Sequence, residues 1–501
     1  MQKVYESTIG LEIHAELKTK TKMFCDSLND PDEKHPNLNI CPICMGFPGT
    51  LPVINEEAVK KVILTGLALN CQIAKQSNFD RKNYFYPDLP KGYQISQYQR
   101  PLCGGGYLDI SGPPSHKASE GKRIRITRIH LEEDTGRLQH PEPSRQGGSY
   151  GAGDAYSLVD FNRAGVPLME MVTEPDLTTG EEVKEFAEKF RMILRYLGVS
   201  DADMEKGQMR VEVNISVKKK GASEYGTKVE IKNLNSIRTA GLAVDYEVER
   251  QVSMLEDGHR VVQETRGWDE AKEATFSQRL KETAKDYRYF PEPDLPVLNF
   301  DESYIESIRA HLPELPEQRR KRFKEQYGLN DSQIEIFTIA KHLGNYFENV
   351  ASELGEEKKI LALAANYIIT EFPPLFNMQG LEIDDIEGIK IIPESFAELM
   401  VMIFHQKLSS SAAKVVLKEM AETGLHPEAI TKEKNLLQVS DTLELEKMAE
   451  EIISENPGPV ADYKKGKKEA LKFLVGKMMA KTKGQANPQI TEKILEEILN
   501  T

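Results

Sequence analysis

The amino-acid sequence predicts an α+β fold, in which a mainly antiparallel sheet with flanking helices is followed by helices alone. Alternating apolar and polar residues, the pattern of half-buried strands, recur through the first 300 residues. An amphipathic helix with a 3.6-residue period interrupts these strands between Thr179 and Gly198. After a proline-punctuated segment at 286–296 the strand pattern fades and helical periodicity takes over. The sheet domain is therefore predicted to come first.

The length and composition are ordinary for a soluble globular protein of two or three domains. The chain has 501 residues, of which 39% are hydrophobic and 29% are charged. The longest apolar run, at 360–369, is too short to span a bilayer. No signal or transit peptide is recognisable, so we expect a cytoplasmic protein without membrane association. A net charge of −14 argues against indiscriminate nucleic-acid binding but permits a local basic patch. Five cysteines in so long a chain do not indicate a secreted disulfide framework.

Four predicted strands carry acids on one polar face. They lie in the segments I-G-L-E-I-H, I-H-L-E-E-D-T-G, R-V-E-V-N-I-S-V and K-V-E-I-K-N-L-N-S. Their polar residues include Glu12, His14, Glu132, Glu133, Glu212, Asn214 and Glu230. A single glutamate of this kind is usually solvent-exposed, but four such faces in one domain favour a site. Mg²⁺ prefers oxygen ligands and keeps waters beside one or two carboxylates, so we interpret the set as a metal and phosphate site.

Local signals also predict boundaries and irregularities. Asn55 is expected to cap a helix whose first turn is acidic. The strand alternation slips by one residue near Arg128, which predicts a β-bulge. In the helical part, Pro373 and Pro374 are expected to break a helix, and a final set of short helices begins at Ser409.

Three cysteines form a candidate zinc site. Cys41 and Cys44 form a C-x-x-C knuckle, and Cys25 supplies a third thiolate. The fourth ligand is open between His35, Cys103 and another residue. A structural zinc is favoured over a catalytic one because no H-E-x-x-H or deaminase pattern accompanies the cysteines.

A lysine-rich segment lies near the C-terminus. Lys464, Lys468 and Lys472 are four residues apart and can share one helix face, and Lys481 continues the cluster. Such a stripe is usually a solvated helix face. In an otherwise acidic protein it favours contact with an RNA backbone somewhat more than usual.

Several common motifs are missing from the sequence. It contains no G-x-x-x-x-G-K-[ST] loop and no G-x-G-x-x-G turn, and its G-G-S-Y-G at 147–151 is interpreted as part of a glycine-rich loop rather than a G-x-S-x-G elbow. From its residues alone, the chain is interpreted as a metal-dependent, phosphate-handling enzyme with a helical, basic appendage. These residues do not identify the substrate.

Several motifs are long enough to compare with known families. Examples are I-G-L-E-I-H-A-E-L-K-T-K-T-K-M-F-C, C-P-I-C-M-G-F-P-G-T-L-P-V-I-N, D-Y-R-Y-F-P-E-P-D-L-P and F-L-V-G-K-M-M-A-K-T-K-G-Q-A-N-P. In these motifs the chain resembles the GatB family, the B subunits of bacterial tRNA-dependent amidotransferases. The resemblance covers essentially the whole chain. It implies a catalytic cradle domain at 1–295, a helical domain at 296–406 and a small YqeY-like, tRNA-binding tail domain at 407–501.

The resemblance also implies an activity. The enzyme of this family is a carbon–nitrogen ligase that converts Glu-tRNA(Gln) to Gln-tRNA(Gln), and often Asp-tRNA(Asn) to Asn-tRNA(Asn). Its GatB chain uses ATP and Mg²⁺ to phosphorylate the side-chain carboxylate. Ammonia from the glutaminase GatA displaces the phosphate, and GatC joins the other two chains. The non-discriminating synthetase that charges the tRNA is a further candidate partner.

By motif match, the resemblance assigns site residues. The Mg²⁺ ligands fall among Glu12, His14, Glu132, Glu133, Glu212 and Glu230, with Asn214 nearby, and ATP or phosphate contacts fall on Lys232, Asn233 and Asn235. Many family members have Asp at position 212, so the longer Glu212 is a departure that can shift the ion. Some members lack the cysteines, which favours a structural zinc here.

Two alternatives stay open at this point. The chain can be a non-catalytic tRNA-binding scaffold with a structural zinc, or a free-standing carboxylate–amine ligase that acts on a small acid. The lysine-rich segment gives no support to the small-acid ligase. The sequence contains no Ser-Ser-Lys amidase pattern and no cysteine at position 2, so ammonia is expected to come from a partner.

Overall fold

The computed structural model of the chain describes residues 4–30, 32–111, 121–139, 156–280, 287–381, 386–437, 442–482, 486 and 488–500. These residues form two compact units, Met1–Leu315 and Pro316–Thr501.

The first unit combines strands and helices. Its strands are β1 (Tyr5–Glu16), β2 (Gln72–Ile73), β3 (Gln76–Ser77), β4 (Asp80–Asn83), β5 (Tyr93–Ser96), β6 (Cys103–Ile110), β7 (Lys122–Glu133), β8 (Arg137–Gln139), β9 (Leu158–Asp160), β10 (Pro167–Thr173), β11 (Met209–Lys219), β12 (Val229–Leu234), β13 (Glu264–Asp269), β14 (Ala274–Leu280), β15 (Phe290–Pro291) and β16 (Leu298–Asn299). Its helices are α1 (Glu56–Ala68), α2 (Gly180–Tyr196), α3 (Ile237–Glu256) and α4 (Glu302–Arg309).

A nine-stranded sheet organises this unit, in the order β14-β13-β12-β11-β1-β10-β7-β6-β2. Strand β1 lies at its centre and pairs antiparallel with both β10 and β11. Strands β12 and β13 pair in parallel, and the other neighbours in this sheet are antiparallel. The predicted α+β class and the mainly antiparallel sheet are confirmed.

One face of the sheet is apolar and packs against helices. Ile9, Leu11 and Ile13 of β1 are almost completely buried, in one core with residues of α1, α2 and α3. Because successive side chains of a strand point to opposite faces, the polar residues of β1 lie on the other face of the sheet. The alternation in the sequence therefore determines which face of the sheet presents polar side chains.

The predicted local features of this unit are found. The Asn55 side chain accepts hydrogen bonds from the first turn of α1, and Thr179 caps α2 in the same way. The β7–β10 register shifts by one residue opposite Arg128, which confirms the predicted bulge. Helices α2 and α3 approach closely at Gly180, where a Cβ atom would lie 2.2 Å from the Gly241 carbonyl oxygen.

A buried charge network joins α3 to the β13–β14 hairpin. The carboxylate of Glu247 is fully buried and accepts hydrogen bonds from Arg250 at 2.6 Å, Gln251 at 2.9 Å and Thr275 at 2.9 Å. The Nε atom of Arg266 lies 3.4 Å from the same carboxylate. Glu247 therefore balances positive charge that is largely removed from water.

The second unit is helical in its described residues. Its helices are α5 (Pro316–Arg322), α6 (Asp331–Ile339), α7 (Lys341–Leu354), α8 (Lys358–Gln379), α9 (Pro393–Phe404), α10 (Ser410–Thr423), α11 (Pro427–Glu433), α12 (Thr442–Glu455), α13 (Pro457–Lys464), α14 (Glu469–Lys481) and α15 (Pro488–Asn500), with a π-helical turn at Phe323–Tyr327 and a 3₁₀ turn at Ile386–Gly388. Across all the described residues, no helix has the length and apolarity that a membrane span requires.

The expected break at Pro373 and Pro374 is wrong, because α8 continues through both prolines to Gln379. Each proline removes one backbone donor, but Phe372, Leu375 and Phe376 are buried around them. Packing of these apolar residues therefore compensates for the lost hydrogen bonds.

The described residues of the second unit form two apolar cores. One extends from Phe323 to Ile430 and the other from Leu445 to Leu499. The boundary between the two compact units lies after Leu315, whereas the predicted domain boundary lies after residue 295. The core from Phe323 to Ile430 includes residues on both sides of the other predicted boundary, after residue 406. The division at 295 and 406 stays a prediction.

Candidate functional site

Three strands bring acids together on the polar face of the sheet. Glu12 of β1 and Glu212 of β11 are directly paired, and Asn214 of β11 pairs with Glu230 of β12. The carboxylates of Glu12, Glu212 and Glu230 offer oxygen atoms that all lie within 4.8 Å of one another. We call these three residues the first acid cluster.

Two polar side chains hold the first acid cluster in place. Asn214 Nδ2 donates a 2.8 Å hydrogen bond to Glu12 Oε1. Lys232 Nζ donates to Glu212 Oε2 at 2.6 Å and lies 3.3 Å from Glu230 Oε1. The surrounding carboxylates, those of Glu212 and Glu230 foremost, overcome the effect of burial and raise the pKa of Lys232. A fixed positive charge therefore lies among three negative ones.

A second acid cluster, His14, Glu132 and Glu170, lies on the same face. His14 Nε2 is 3.2 Å from Glu170 Oε2 and 3.6 Å from Glu132 Oε1. Glu170 pairs with His14 on one side and with His130 on the other, because β10 lies between β1 and β7. Since Glu12 and His14 are two residues apart on β1, the two clusters are neighbours on the sheet.

The two histidines have opposite pKa shifts because their carboxylate partners differ. Desolvation opposes the charge of His14, but the hydrogen bond to Glu170 and the carboxylates of Glu170 and Glu132 raise its pKa above the ordinary value. His130 is buried without such a hydrogen bond, and desolvation lowers its pKa to about 4. At neutral pH, His130 is therefore an uncharged imidazole. Burial and the Glu170 charge raise the pKa of Glu132.

The side chains present fit a divalent cation with oxygen ligands. Asn214 Oδ1 and Glu132 Oε2 are buried and accept no hydrogen bond from the residues that the structure describes. An acceptor oxygen that is buried without a donor costs free energy unless a cation or water satisfies it. Together with the carboxylates, these oxygens form the donor set that Mg²⁺ prefers.

Other residues from the motif match lie elsewhere. Glu133 points away from both clusters, pairs with Lys91 and accepts a 2.9 Å hydrogen bond from the Ile95 amide. Asn233 and Asn235 are exposed near the end of β12, and Asn233 has a φ of 60° at an irregularity of the β11–β12 ladder. Their assignment to ATP or phosphate stays a prediction.

Two residues of this face, Glu170 and His130, were not predicted from the sequence. Glu170 lies in P-L-M-E-M-V-T, where apolar residues on both sides hide the strand alternation. An isolated acid in an otherwise apolar strand needs a partner when it is buried, so the presence of Glu170 in this segment could have indicated a site residue. His130 lies two residues before Glu132 on β7, so its position was readable from the same alternation.

A pair of buried carboxyl groups lies at the edge of this face. Glu16 ends β1, and burial together with the neighbouring Asp134 charge raises its pKa to about 8. Asp134 stays ionised because Arg210, at 2.9 Å, and Arg163 lower its pKa despite its burial. Glu16 therefore carries the proton of the pair.

This pair predicts a pH-dependent stability. The folded-state pKa of Glu16 lies above its unfolded value of 4.5, so its contribution lowers stability as pH rises from about 4.5 to 8. We expect Glu16→Gln to unfold at a higher urea concentration than wild type at pH 8, and at a similar one at pH 4.5. Urea titrations at both pH values test this. A variant that is equally destabilised at both would contradict it.

The three predicted zinc ligands come together in the first unit. The sulfur atoms of Cys25, Cys41 and Cys44 lie within 4.8 Å of one another. The Cys41 amide donates to Cys44 Sγ at 3.0 Å, and the fully buried Lys22 has its Nζ 3.9 Å from that sulfur. A hydrogen bond from Cys25 and the Lys22 charge lower the pKa of Cys44 to about 5, although burial opposes this. This thiolate character suits a zinc ligand.

Neither named candidate for the fourth zinc ligand joins this group. His35 bonds to Glu33 at 2.8 Å and its ring is 85% exposed. Cys103 is buried in β6, with its sulfur 3.7 Å from the Val62 carbonyl oxygen. The cysteine group could hold a metal through three thiolates.

The predicted tail lysines lie on the second unit. The expectation that Lys464, Lys468 and Lys472 share one helix face is wrong, because Gly466, with a φ of 90°, lies in a turn that separates α13 from α14. Lys464 ends α13, Lys468 precedes α14 and Lys472 lies within α14. Lys481 ends α14, where it pairs with Glu451 at 2.7 Å and Glu455 at 3.6 Å. The first three lysines are therefore the better candidates for contact with an external anion.

The fold and this site define an α+β protein with two groups of potential cation ligands on one sheet face and a helical C-terminal unit. Comparison with known families narrows this class. The family described as "GatB/GatE catalytic domain" matches residues 7–306, and "GatB domain" matches residues 345–499. The chain belongs to the GatB family.

Curated relatives extend over nearly the full length. The chain is 49% identical to the B subunit of the aspartyl/glutamyl-tRNA(Asn/Gln) amidotransferase of Caldicellulosiruptor saccharolyticus, with 99% of each chain covered. It is 47% identical to the protein of that name from Carboxydothermus hydrogenoformans and 46% to one from Dehalococcoides mccartyi, also with 99% of each chain covered. The resemblance stated from the motifs is confirmed.

Proposed function

We propose that the chain is the GatB component of a tRNA-dependent amidotransferase and activates the side-chain carboxylate of Glu-tRNA(Gln), Asp-tRNA(Asn) or both. The observation that carries this proposal is the pair of acid clusters on one sheet face. The names of the relatives support the role as one component of such an enzyme. ATP is the proposed phosphoryl donor, and ammonia is the proposed nucleophile for the second step.

The chemistry explains why phosphate is needed. A free carboxylate does not react with ammonia, because the leaving group would be an oxide ion. Transfer of the γ-phosphoryl group from ATP forms an acyl phosphate and ADP, and ammonia then expels inorganic phosphate to give the amide. Such transfer depends mainly on positioning and charge neutralisation.

The residues of the face have separable roles in this proposal. Glu12, Glu212, Glu230 and the amide oxygen of Asn214 would hold Mg²⁺, which when bound would neutralise charge on phosphate oxygens. Lys232 supplies a fixed ammonium group beside these carboxylates. His14 and Glu132 of the second acid cluster offer a second group of cation ligands with Glu170. The longer Glu212 still offers an oxygen atom within 4.8 Å of ligand oxygens of Glu12 and Glu230.

The proposal requires partner chains, because the sequence offers no glutaminase nucleophile. With ATP, glutamine and Glu-tRNA(Gln), we expect the isolated chain to form no Gln-tRNA(Gln), and addition of GatA and GatC to restore its formation. Thin-layer chromatography of the amino acid released from the tRNA measures both. A matched reaction with ammonium chloride in place of glutamine separates loss of ammonia supply from loss of activation. Product formed from glutamine by the isolated chain would contradict the proposal.

We also propose a structural zinc held by Cys25, Cys41 and Cys44. Cys44→Ser is expected to lower bound zinc from about one ion per chain to near zero, because it removes one of the three thiolates of the group. Metal analysis after dialysis measures this. Cys71→Ala is the matched control, since Cys71 is a buried cysteine outside the group. Zinc retained by Cys44→Ser would argue against the site.

The C-terminal lysines are proposed to contact the tRNA backbone. Lys464, Lys468 and Lys472 lie on or beside α13 and α14. Phe473, which follows Lys472 in the sequence and precedes Lys477, is half exposed. Lysine side chains that neutralise phosphates make binding depend on salt. The non-discriminating synthetase stays a further proposed partner.

A further inference from the structure

The three cysteines of the proposed zinc site are unevenly divided between two turns of the first unit. Cys41 and Cys44 lie on one turn, and their sulfur atoms are 3.8 Å apart. Cys25 lies on the other, the segment 21–28, which we call the cysteine–serine turn. Structural zinc sites are commonly built from two segments that give two ligands each. The cysteine–serine turn therefore has one thiolate fewer than this pattern requires.

Ser27 is the second polar side chain that the cysteine–serine turn brings to the site. The Lys22 amide donates a 3.0 Å hydrogen bond to the Ser27 carbonyl oxygen, and Thr21 and Leu28 form a β-bridge, so the backbone of the turn is fixed. The Oγ atom of Ser27 lies 4.0 Å from Cys44 Sγ. Among the described residues, this hydroxyl has no other hydrogen-bond partner. Its oxygen is therefore free to bind a metal ion.

The distances fit a tetrahedral zinc ion. With Zn–S bonds of about 2.3 Å and a Zn–O bond of about 2.1 Å, tetrahedral angles place two sulfur ligands roughly 3.8 Å apart and a sulfur and an oxygen roughly 3.6 Å apart. The separation of Cys41 and Cys44 equals the first value. The separation of Ser27 and Cys44 exceeds the second by roughly 0.4 Å, which a small rotation of the serine side chain can remove. Cys25 completes the group, since its sulfur lies within 4.8 Å of the other two.

Lys22 is the other polar side chain beside Cys44, and its charge suits a counter-ion rather than a ligand. Its Nζ atom lies 3.9 Å from Cys44 Sγ and donates to the Phe161 carbonyl oxygen at 3.3 Å. Its side chain is completely buried, and no carboxylate pairs with it among the described residues. Three thiolates around a zinc ion leave one negative charge, which the Lys22 ammonium neutralises. A neutral fourth ligand, such as a serine hydroxyl, preserves this balance.

We propose that the Ser27 hydroxyl is the fourth ligand of a zinc ion held by Cys25, Cys41 and Cys44. The inference rests on the zinc site proposed above and goes beyond it, because it assigns an oxygen atom to the open position. A neutral hydroxyl is a weaker ligand for zinc than a thiolate, since zinc favours soft sulfur ligands. The site is therefore expected to hold zinc less tightly than a site with four cysteines does.

The test measures the zinc affinity and the cobalt spectrum of the full chain in a reducing buffer. Competition with a chromophoric chelator gives the dissociation constant for zinc. Ser27→Cys is expected to bind zinc about tenfold more tightly than wild type, and Ser27→Ala about tenfold less tightly. In the cobalt-substituted proteins, sulfur-to-metal charge-transfer absorption should increase by about one third in Ser27→Cys, in proportion to the number of thiolates. Neither measurement depends on turnover.

Ser303→Cys is the matched control, because it adds an exposed thiol on α4, outside the cysteine group. It should keep the wild-type zinc affinity and cobalt spectrum. A cobalt spectrum that Ser27→Cys leaves unchanged would overturn this inference and leave the zinc proposal standing, and so would a Ser27→Ala variant with wild-type zinc affinity. A wild-type chain that binds no zinc would overturn the zinc proposal and this inference with it.

Discussion

Glu12→Gln is expected to lower ATP-dependent turnover of the assembled enzyme by about 100-fold or more, with tRNA affinity unchanged. The substitution preserves the shape of the side chain and its 2.8 Å contact with Asn214. It removes one of three carboxylates that lie within 4.8 Å of one another, and with it the charge that a divalent cation needs. Rates of Gln-tRNA(Gln) formation and filter-binding affinities measure the two quantities.

Glu6→Gln is the matched control for this variant. Glu6 lies on the same strand, pairs with Lys218 at 3.3 Å and does not belong to either acid cluster. It should leave turnover unchanged. If Glu12→Gln keeps full turnover, the activation step does not use this face, and the non-catalytic scaffold becomes the better account.

Glu247→Ala is expected to lower the free energy of unfolding of the first unit by about 3–5 kcal/mol. The substitution removes the carboxylate that pairs with Arg250 at 2.6 Å and lies 3.4 Å from Arg266, so both largely buried guanidinium groups are left to share Glu264. It also removes the acceptor for Gln251 and Thr275. Urea unfolding followed by Trp268 fluorescence reports on this unit, because Trp268 is the single tryptophan of the chain and lies on β13.

Glu249→Ala gives the corresponding control on the same helix. Glu249 lies two residues further along α3 and is exposed, so its removal should change stability by no more than about 0.5 kcal/mol. A Glu247→Ala variant that matches this control would show that the network contributes little. It would then resemble buried ion pairs whose desolvation cost cancels their attraction.

The sheet and its polar face were predictable because the period of two is visible in single segments. Ile9, Leu11 and Ile13 alone determine that Glu12 and His14 share the other face. Strand order was not predictable in this way, since neighbours such as β1 and β11 are almost 200 residues apart. The pairing of the strands in the structure is needed to show that Glu12 lies opposite Glu212. It is also needed to show that His14, Glu132 and Glu170 lie together.

Glu133 and Glu170 show why the rest of the candidate site required the fold. Glu133 follows Glu132 directly, so the alternation assigns it to the opposite face, yet the motif match grouped both with the metal ligands. The structure pairs Glu133 with Lys91 instead. Glu170 was missed because its strand is apolar on both faces near the sheet centre. Spacing within a segment was informative, whereas contacts between distant segments depend on the tertiary structure.

The central position of β1 has a consequence for synthesis of the protein in the cell. This strand is made first, but its partners β10 and β11 begin only at Pro167 and Met209. At about 5–20 residues per second, the ribosome needs roughly 10–40 s to add the intervening 200 residues. During that time an apolar strand has two open edges, which favours aggregation. We therefore expect yield during expression to depend on translation rate and chaperone supply more than on the stability of the finished fold.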